Sequence, residues 1–203
     1  MSCATSIYEK RGSGIVIASW YGHDFHGRPT ASGERFDMNK FTCAHREFPF
    51  GSIVRVINIS NGRSVKCIVN DRGPFVSGRD IDLSFAAARE IGLTGPGVMP
   101  VRIEYVSRDN SYVREVQYLA SEGPFTIQVG SFKELSNATR LKKGLELRYR
   151  DVYIHEVILD GSSYYRVRVG RFLMRGDALE LARTMAQEGY SPIIVRYEEI
   201  GRV

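Results

Sequence analysis

Apolar and polar positions follow two different rhythms in the two halves of the chain. In the first half, Ile15–Tyr21, Ser52–Ile59 and Ser64–Asn70 are short alternating runs separated by Gly, Asn and Ser. That pattern predicts the brief strands of a compact barrel. Asn61-Gly62, lying between two such runs, predicts a hairpin turn. One helix is predicted from Ser84 through Ile91, with Asp82 or Ser84 as its cap and Gly92 as its stop. A last strand, Val101–Val106, follows Pro100.

The second half repeats itself. Phe125-Thr126-Ile127-Gln128-Val129-Gly130-Ser131-Phe132 is echoed forty residues later by Tyr165-Arg166-Val167-Arg168-Val169-Gly170-Arg171-Phe172. Ala138 and Leu141 then correspond to Ala178 and Leu181, so the echo extends beyond one strand. Each copy reads as a strand, then a helix, then a further strand, Val152–Leu159 in one copy and Pro192–Tyr197 in the other. Helix-spaced Ala138, Leu141, Leu145 and Ala178, Leu181, Ala182, Met185 supply the buried helix faces. Two such units predict a four-stranded α+β domain of ferredoxin-like βαββαβ form, with both helices on one face. The expected organisation is an N-terminal tether at 1–13, a barrel at 14–106, a short linker at 107–123 and the α+β domain at 124–203. Within the linker, Val113–Leu119 alternates enough to form another strand.

Composition narrows the class. An apolar share of 43% suits a folded core, and a net charge of +5 favours an anionic polymer as partner. The charges are dispersed, which argues against a nucleic-acid-binding tail. No apolar run is long enough for a transmembrane helix, and the start lacks the apolar core of a signal peptide. Met1-Ser2-Cys3-Ala4-Thr5-Ser6 instead reads as the mature end of a bacterial lipoprotein, with Cys3 acylated.

Candidate chemistry gathers in the first domain, where charged residues sit beside glycine or at strand ends. Asp71 ends an alternating run and Glu34 lies in a Ser-Gly-Glu loop. Each read alone is as easily a salt bridge or a solvated side chain. Together they fit glycosidic cleavage, which must protonate a poor leaving oxygen while charge builds on the sugar ring. Trp20, Tyr21 and Phe75 are candidates for stacking on pyranose rings, and Arg72 for a polar contact; core packing is the plainer role for Trp20. His45 is expected to orient a carboxylate. The four histidines lack ligand spacing, so no metal and no cofactor are predicted. Strict alternation puts Cys43 on the face of His45 and Cys67 on the face of Asp71. If those two meet, the cysteines are close enough for a disulfide, the alternative being two buried thiols.

The motifs Ser19-Trp20-Tyr21-Gly22, Thr30-Ala31-x-Gly33-Glu34, Ala44-His45-x-x-x-Pro49-x-Gly51, Asn70-Asp71-Arg72-Gly73-Pro74-Phe75 and Ile81-Asp82-Leu83-Ser84 carry a resemblance. In this order they resemble the double-psi β-barrel of the rare lipoprotein A family, the septal ring lytic transglycosylases. The repeat half resembles a SPOR domain, a module that binds glycan strands stripped of their stem peptides. The implied fold is a mainly β, six-stranded double-psi β-barrel followed by a small α+β SPOR domain. The implied activity is cleavage of the MurNAc-β-1,4-GlcNAc bond of peptidoglycan without water, leaving a 1,6-anhydromuramyl end. On that pattern Asp71 and Glu34 are the acidic pair, His45 assists, and Asp82 is structural, capping the helix that follows. In the repeat half, Gln128, Ser131, Phe132, Arg166 and Arg168 are the expected glycan contacts. The implied setting is periplasmic, with a monomer anchored to the outer membrane through Cys3 and enriched at the septum beside division proteins. Two rival readings stand: a hydrolase that uses water, and a non-catalytic glycan-binding envelope lipoprotein.

Overall fold

A computed structural model of the chain describes residues 14–198, so Cys3 and the proposed tether lie outside the described residues. The chain divides into two compact units between Ser111 and Tyr112. The segment 107–123, expected as a linker, holds the end of one strand and a two-residue strand of the second unit.

The first unit contains β1 (Gly14–Tyr21), β2 (Thr42–His45), β3 (Ser52–Asn58), β4 (Ser64–Asp71), β5 (Ile81–Ser84), α1 (Phe85–Ile91) and β6 (Val98–Arg108). They close into a barrel of order β1-β5-β2-β4-β3-β6. Two of its pairings, β1 with β5 and β2 with β4, are parallel. Alternation sets the core: Val54, Val56, Val65, Cys67, Val69, Leu83, Val101 and Ile103 point inward with Ala18. Each fully buried aliphatic side chain contributes roughly 1.5–3 kcal/mol. Ser84 caps α1, its hydroxyl accepting the Ala87 N–H at 3.3 Å. At the far end of α1, Asn58 and Asn61 of the β3–β4 turn both donate to the Ile91 carbonyl, fastening hairpin to helix.

The second unit contains β7 (Gln117–Tyr118), β8 (Phe125–Phe132), α2 (Leu135–Glu146), β9 (Val152–Leu159), β10 (Ser162–Phe172), α3 (Arg175–Gln187) and β11 (Ile193–Arg196). The sheet runs β7-β11-β8-β10-β9, the ferredoxin-like order with one strand added beside β11. Ala138, Leu141 and Leu145 of α2 and Ala178, Ala182 and Met185 of α3 are buried against it. The repeat has a steric reason. A side chain at Gly130 would meet the Phe132 ring and Leu141, each at 2.8 Å; at Gly170 it would meet Phe172 at 2.5 Å. In both copies the phenylalanine folds onto the bare glycine, so Gly-x-Phe is one packing unit. Among the described residues no helix is long and apolar enough to cross a membrane.

Candidate active site

The chain between β1 and β2 makes a long excursion that ends as a narrow hairpin. Its rungs are Gly27 N–H to Phe36 O at 2.8 Å, Phe36 N–H to Arg28 O at 2.8 Å and Thr30 N–H to Glu34 O at 2.7 Å. The hairpin is anchored by aromatic packing. Phe36 is 3% exposed and stacks on Tyr21 with ring centroids 4.2 Å apart, while Phe25 meets Tyr21 edge-on at 5.9 Å. Burying and stacking such rings fixes the base of the hairpin on the end of β1.

Its tip lies on the exit of β4. The Ser32 N–H donates to the Asn70 carbonyl at 3.2 Å. The Ala31 N–H donates to Asp71 Oδ1 at 2.8 Å, and the Arg72 N–H donates to the same oxygen at 2.8 Å. In return Asn70 Nδ2 donates to Glu34 Oε2 at 2.7 Å. The arrangement is reciprocal: a neighbour of Asp71 holds Glu34, and a neighbour of Glu34 holds Asp71. Asp71 is 3% exposed and Glu34 half-buried. Both carboxyl groups are therefore tied to one junction by bonds that fix their orientation.

β4 reaches this junction through a bulge. Cys43 pairs with Val69 and Ala44 with Asp71, leaving Asn70 as the extra residue. A bulge breaks strict alternation, so the shared face expected for Cys67 and Asp71 does not extend past Val69. Cys43 and Cys67 are nevertheless bridged as a disulfide, with Cα atoms 5.9 Å apart.

His45 ends β2 beside this point. Its Nδ1 accepts two backbone N–H bonds, from Glu47 and Phe48, both at 3.1 Å. The ring packs on Phe48 with centroids 4.3 Å apart. Burial first, then the Arg72 and Arg46 guanidiniums, push its pKa down to about 3, against a weaker raising by Asp80. The imidazole is thus neutral, with Nδ1 an acceptor and its proton on Nε2. It is a hydrogen-bond donor at Nε2.

The remaining expected residues divide. Arg72 was expected to contact substrate, but it is 3% exposed. Its Nη1 donates to the His45 and Phe48 carbonyls at 3.3 and 3.0 Å, and its guanidinium lies 3.8 Å from the Phe50 ring centroid. These bonds turn it inward to brace the His45 turn. Trp20, likewise expected as a contact, packs against the barrel core with its ring 5.6 Å from Phe85. Tyr21 supports the hairpin. Phe75 remains 38% exposed on the loop after Asp71. Asp82 does not cap α1: it accepts from the Ser19 hydroxyl and from Arg79 Nη2 at 3.0 and 3.1 Å.

Three residues of this site escaped the sequence reading. Asn70 holds Glu34, Phe36 anchors the hairpin, and Arg46 ties the 72–80 loop through the Pro74 and Arg79 carbonyls. Asn70 opens one of the motifs quoted above and Arg46 adjoins His45, and those positions are the signals available for them. Among the described residues no His/Cys/Asp/Glu cluster is placed to hold a metal ion.

In the second unit, Gln128 and Arg168 are opposite one another across β8 and β10, and Ser131 and Arg166 are likewise opposite. Their face of the sheet is the one away from α2 and α3. Phe132, expected among them, lies on the helix side, packed on Gly130 near Leu141. Arg168 shares the open face but is 2% exposed. Its guanidinium is covered by the segment after β11, where Glu198 Oε2 accepts from Nη1 at 3.2 Å.

The family model described as lytic transglycolase matches residues 14–103, and the SPOR domain model matches residues 121–196. The "Probable endolytic peptidoglycan transglycosylase RlpA" of Nostoc sp. is 60% identical over 94 residues, 45% of this chain and 25% of that protein. The "Endolytic peptidoglycan transglycosylase RlpA" of Campylobacter jejuni is 40% identical over 139 residues, 60% of this chain and 50% of that protein. The matches thus span a quarter to a half of the length of these relatives. The solved SPOR domain of RlpA from Pseudomonas aeruginosa is 26% identical, covering 36% of this chain and 99% of that one at a TM-score of 0.31. The chain is a two-domain protein, a double-psi β-barrel of the lytic transglycolase type followed by a SPOR domain. That pairing of domains, together with the RlpA-named relatives, supports membership of the rare lipoprotein A family.

Proposed function

We propose that the protein is an endolytic peptidoglycan lytic transglycosylase that cleaves MurNAc-β-1,4-GlcNAc bonds of peptide-stripped strands and leaves 1,6-anhydromuramyl ends. The observation that carries this reading is the reciprocal bonding that ties Glu34 and Asp71 to one junction. Asp71 gives its proton to the glycosidic oxygen as the C1–O bond breaks, and the bonding pair leaves with that oxygen. The muramyl C6 hydroxyl then attacks C1 and its proton passes to the Asp71 carboxylate, which restores the acid without water. Glu34 stabilises the positive charge that develops at the ring. His45, neutral and protonated at Nε2, contributes a hydrogen bond and no proton transfer. Arg72 and Arg46 hold the loops, and exposed Phe75 offers a face for a sugar ring.

The SPOR sheet, with Gln128, Ser131 and Arg166 on its open face, is proposed to hold the denuded glycan strand. The SPOR match and the RlpA-named relatives support a cell-envelope setting; acylation of Cys3, outer-membrane anchoring, septal partners and a monomeric state belong to the same proposal. Digestion of intact and peptide-stripped sacculi, followed by mass spectrometry, tests the reaction. Anhydromuramyl products that vanish in Asp71→Asn, with sacculus binding retained, are expected. Reducing ends would make the enzyme a hydrolase, and no product from the wild type would leave a glycan-binding protein.

A further inference from the structure

Arg168 presents a physical puzzle. It stands in β10, an interior strand of the sheet, opposite Gln128 on one side and Tyr153 on the other, on the face that carries no helix. A guanidinium there belongs in water, yet its side chain is 3% exposed. Burying such a charge costs several kcal/mol unless it is well paired. Its pairing is incomplete, although it also shares a hydrogen bond with the Tyr153 side chain. Glu198 reaches Nη1 with one oxygen at 3.2 Å, and Nε is buried with no hydrogen-bond partner among the described residues. A guanidinium offers five donors in a fork suited to a bidentate carboxylate, and here that fork is under-used.

The counter-ion is also the least fixed part of the arrangement. The Glu198 side chain is 57% exposed, and it lies beyond β11. Its nearest tie is at Tyr197, whose N–H donates to the Pro124 carbonyl at 2.7 Å and whose ring meets Tyr153 at 6.1 Å and Arg171 at 5.1 Å. The same Glu198 oxygen lies 3.4 Å from His155 Nδ1, itself without a hydrogen-bond partner among the described residues. His155 neighbours Arg166 across the strands on this face. Burial first and then Arg168 hold its pKa below the usual value, so neutral His155 adds a polar edge and leaves Arg168 as the buried cation.

We infer that Arg168 and His155 form a carboxylate-recognition site on the glycan face, and that Glu198 occupies it as an internal competitor of the lactyl carboxylate of a muramyl residue. The inference rests on the reading of this sheet as the glycan surface and deepens it. In a strand that keeps its stem peptides, that lactyl carboxyl is an amide and carries no charge. In a stripped strand it is a free carboxylate, able to take the under-used fork of Arg168 as Glu198 swings into solvent. The exchange supplies a chemical reason for preferring stripped strands: they alone carry the ion that displaces Glu198. No bond is made or broken in it.

The test uses the full chain and two ligands, peptide-stripped glycan strands and the same strands with the lactyl carboxyls reduced to alcohols. Wild type and Glu198→Gln are compared by calorimetry, with Arg168→Gln as a second variant and the unfolding midpoint as a check on folding. Removing the competitor is expected to tighten binding of the native strands about tenfold, the scale of one charge-assisted hydrogen bond. Binding of the reduced strands should stay unchanged, and Arg168→Gln should erase the difference between the two ligands. Equal tightening for both ligands would mean that Glu198 is a steric cover only, and overturns the inference. So does binding of both strands with no response to Glu198→Gln. If neither strand binds to any form, the glycan reading of the sheet fails and takes this inference with it.

Discussion

Replacing His45 by Asn isolates the electrostatics of the turn that follows β2. Asn Oδ1 stands roughly where imidazole Nδ1 stands, so it can accept the Glu47 and Phe48 N–H bonds without titrating. In the wild type the imidazole has a pKa of about 3 when folded, against the usual 6.5 when unfolded. The folded state therefore binds fewer protons below neutrality, and stability falls as pH drops from about 6.5 toward 3. Between pH 7 and pH 5 the unfolded chain takes up most of one proton at this site and the folded chain almost none. That is worth about 2 kcal/mol of lost stability, with partial exposure of the ring reducing it toward about 1. Trp20 is the one tryptophan and packs on the barrel core, so its fluorescence follows the unfolding of that domain in urea. His45→Asn should lower stability at both pH values, because the ring leaves Phe48, but its loss between pH 7 and pH 5 should be smaller than the wild type's by about 1–2 kcal/mol. Identical pH dependence in the two proteins would refute the neutral, acceptor-held imidazole.

Other outcomes follow from the packing. In denaturant, Cys43 and Cys67 should resist alkylation until a reductant is added, as peptide mapping would read. Cys43→Ala with Cys67→Ala should cost the barrel about 3 kcal/mol from the 24-residue separation bridged; prompt labelling of both thiols would contradict the bridge. Gly170→Ala combines a φ of +70° with a ring 2.5 Å from the new methyl. It should destabilise the second domain by about 1–3 kcal/mol, seen as faster amide exchange in β10 and α3 with the Trp20 signal unmoved.

Much of the fold was legible because its signals are local. Alternation marked β3 and β4, and the forty-residue echo marked the two βαβ units before any pairing was known. The parallel contacts of β1 with β5 and β2 with β4 were hidden, since nothing near Ala18 announces Ile81 as its neighbour. The acidic pair was legible from its place at a strand end and beside glycine and from the family resemblance, whereas the bonds that tie it down span 36 and 40 residues and leave no trace in either segment. Alternation assigned Arg168 to the correct face but cannot say what covers that face. Phe132 was misplaced for a different reason: the glycine two residues before it was read as part of the repeat, when it is the seat on which the ring rests.

The pairing of β1 has a consequence for how such a protein comes into being. This first strand finds its partners only in β5 and β6, so a growing chain carries an unmatched strand edge through most of the domain's synthesis. Long-range closure of this kind is slow and exposes the chain to mispairing. The same delay is protective. The tip bearing Glu34 has nothing to dock on until β4 exists and the ring of strands shuts, so an unfinished chain never brings its two acids to one junction.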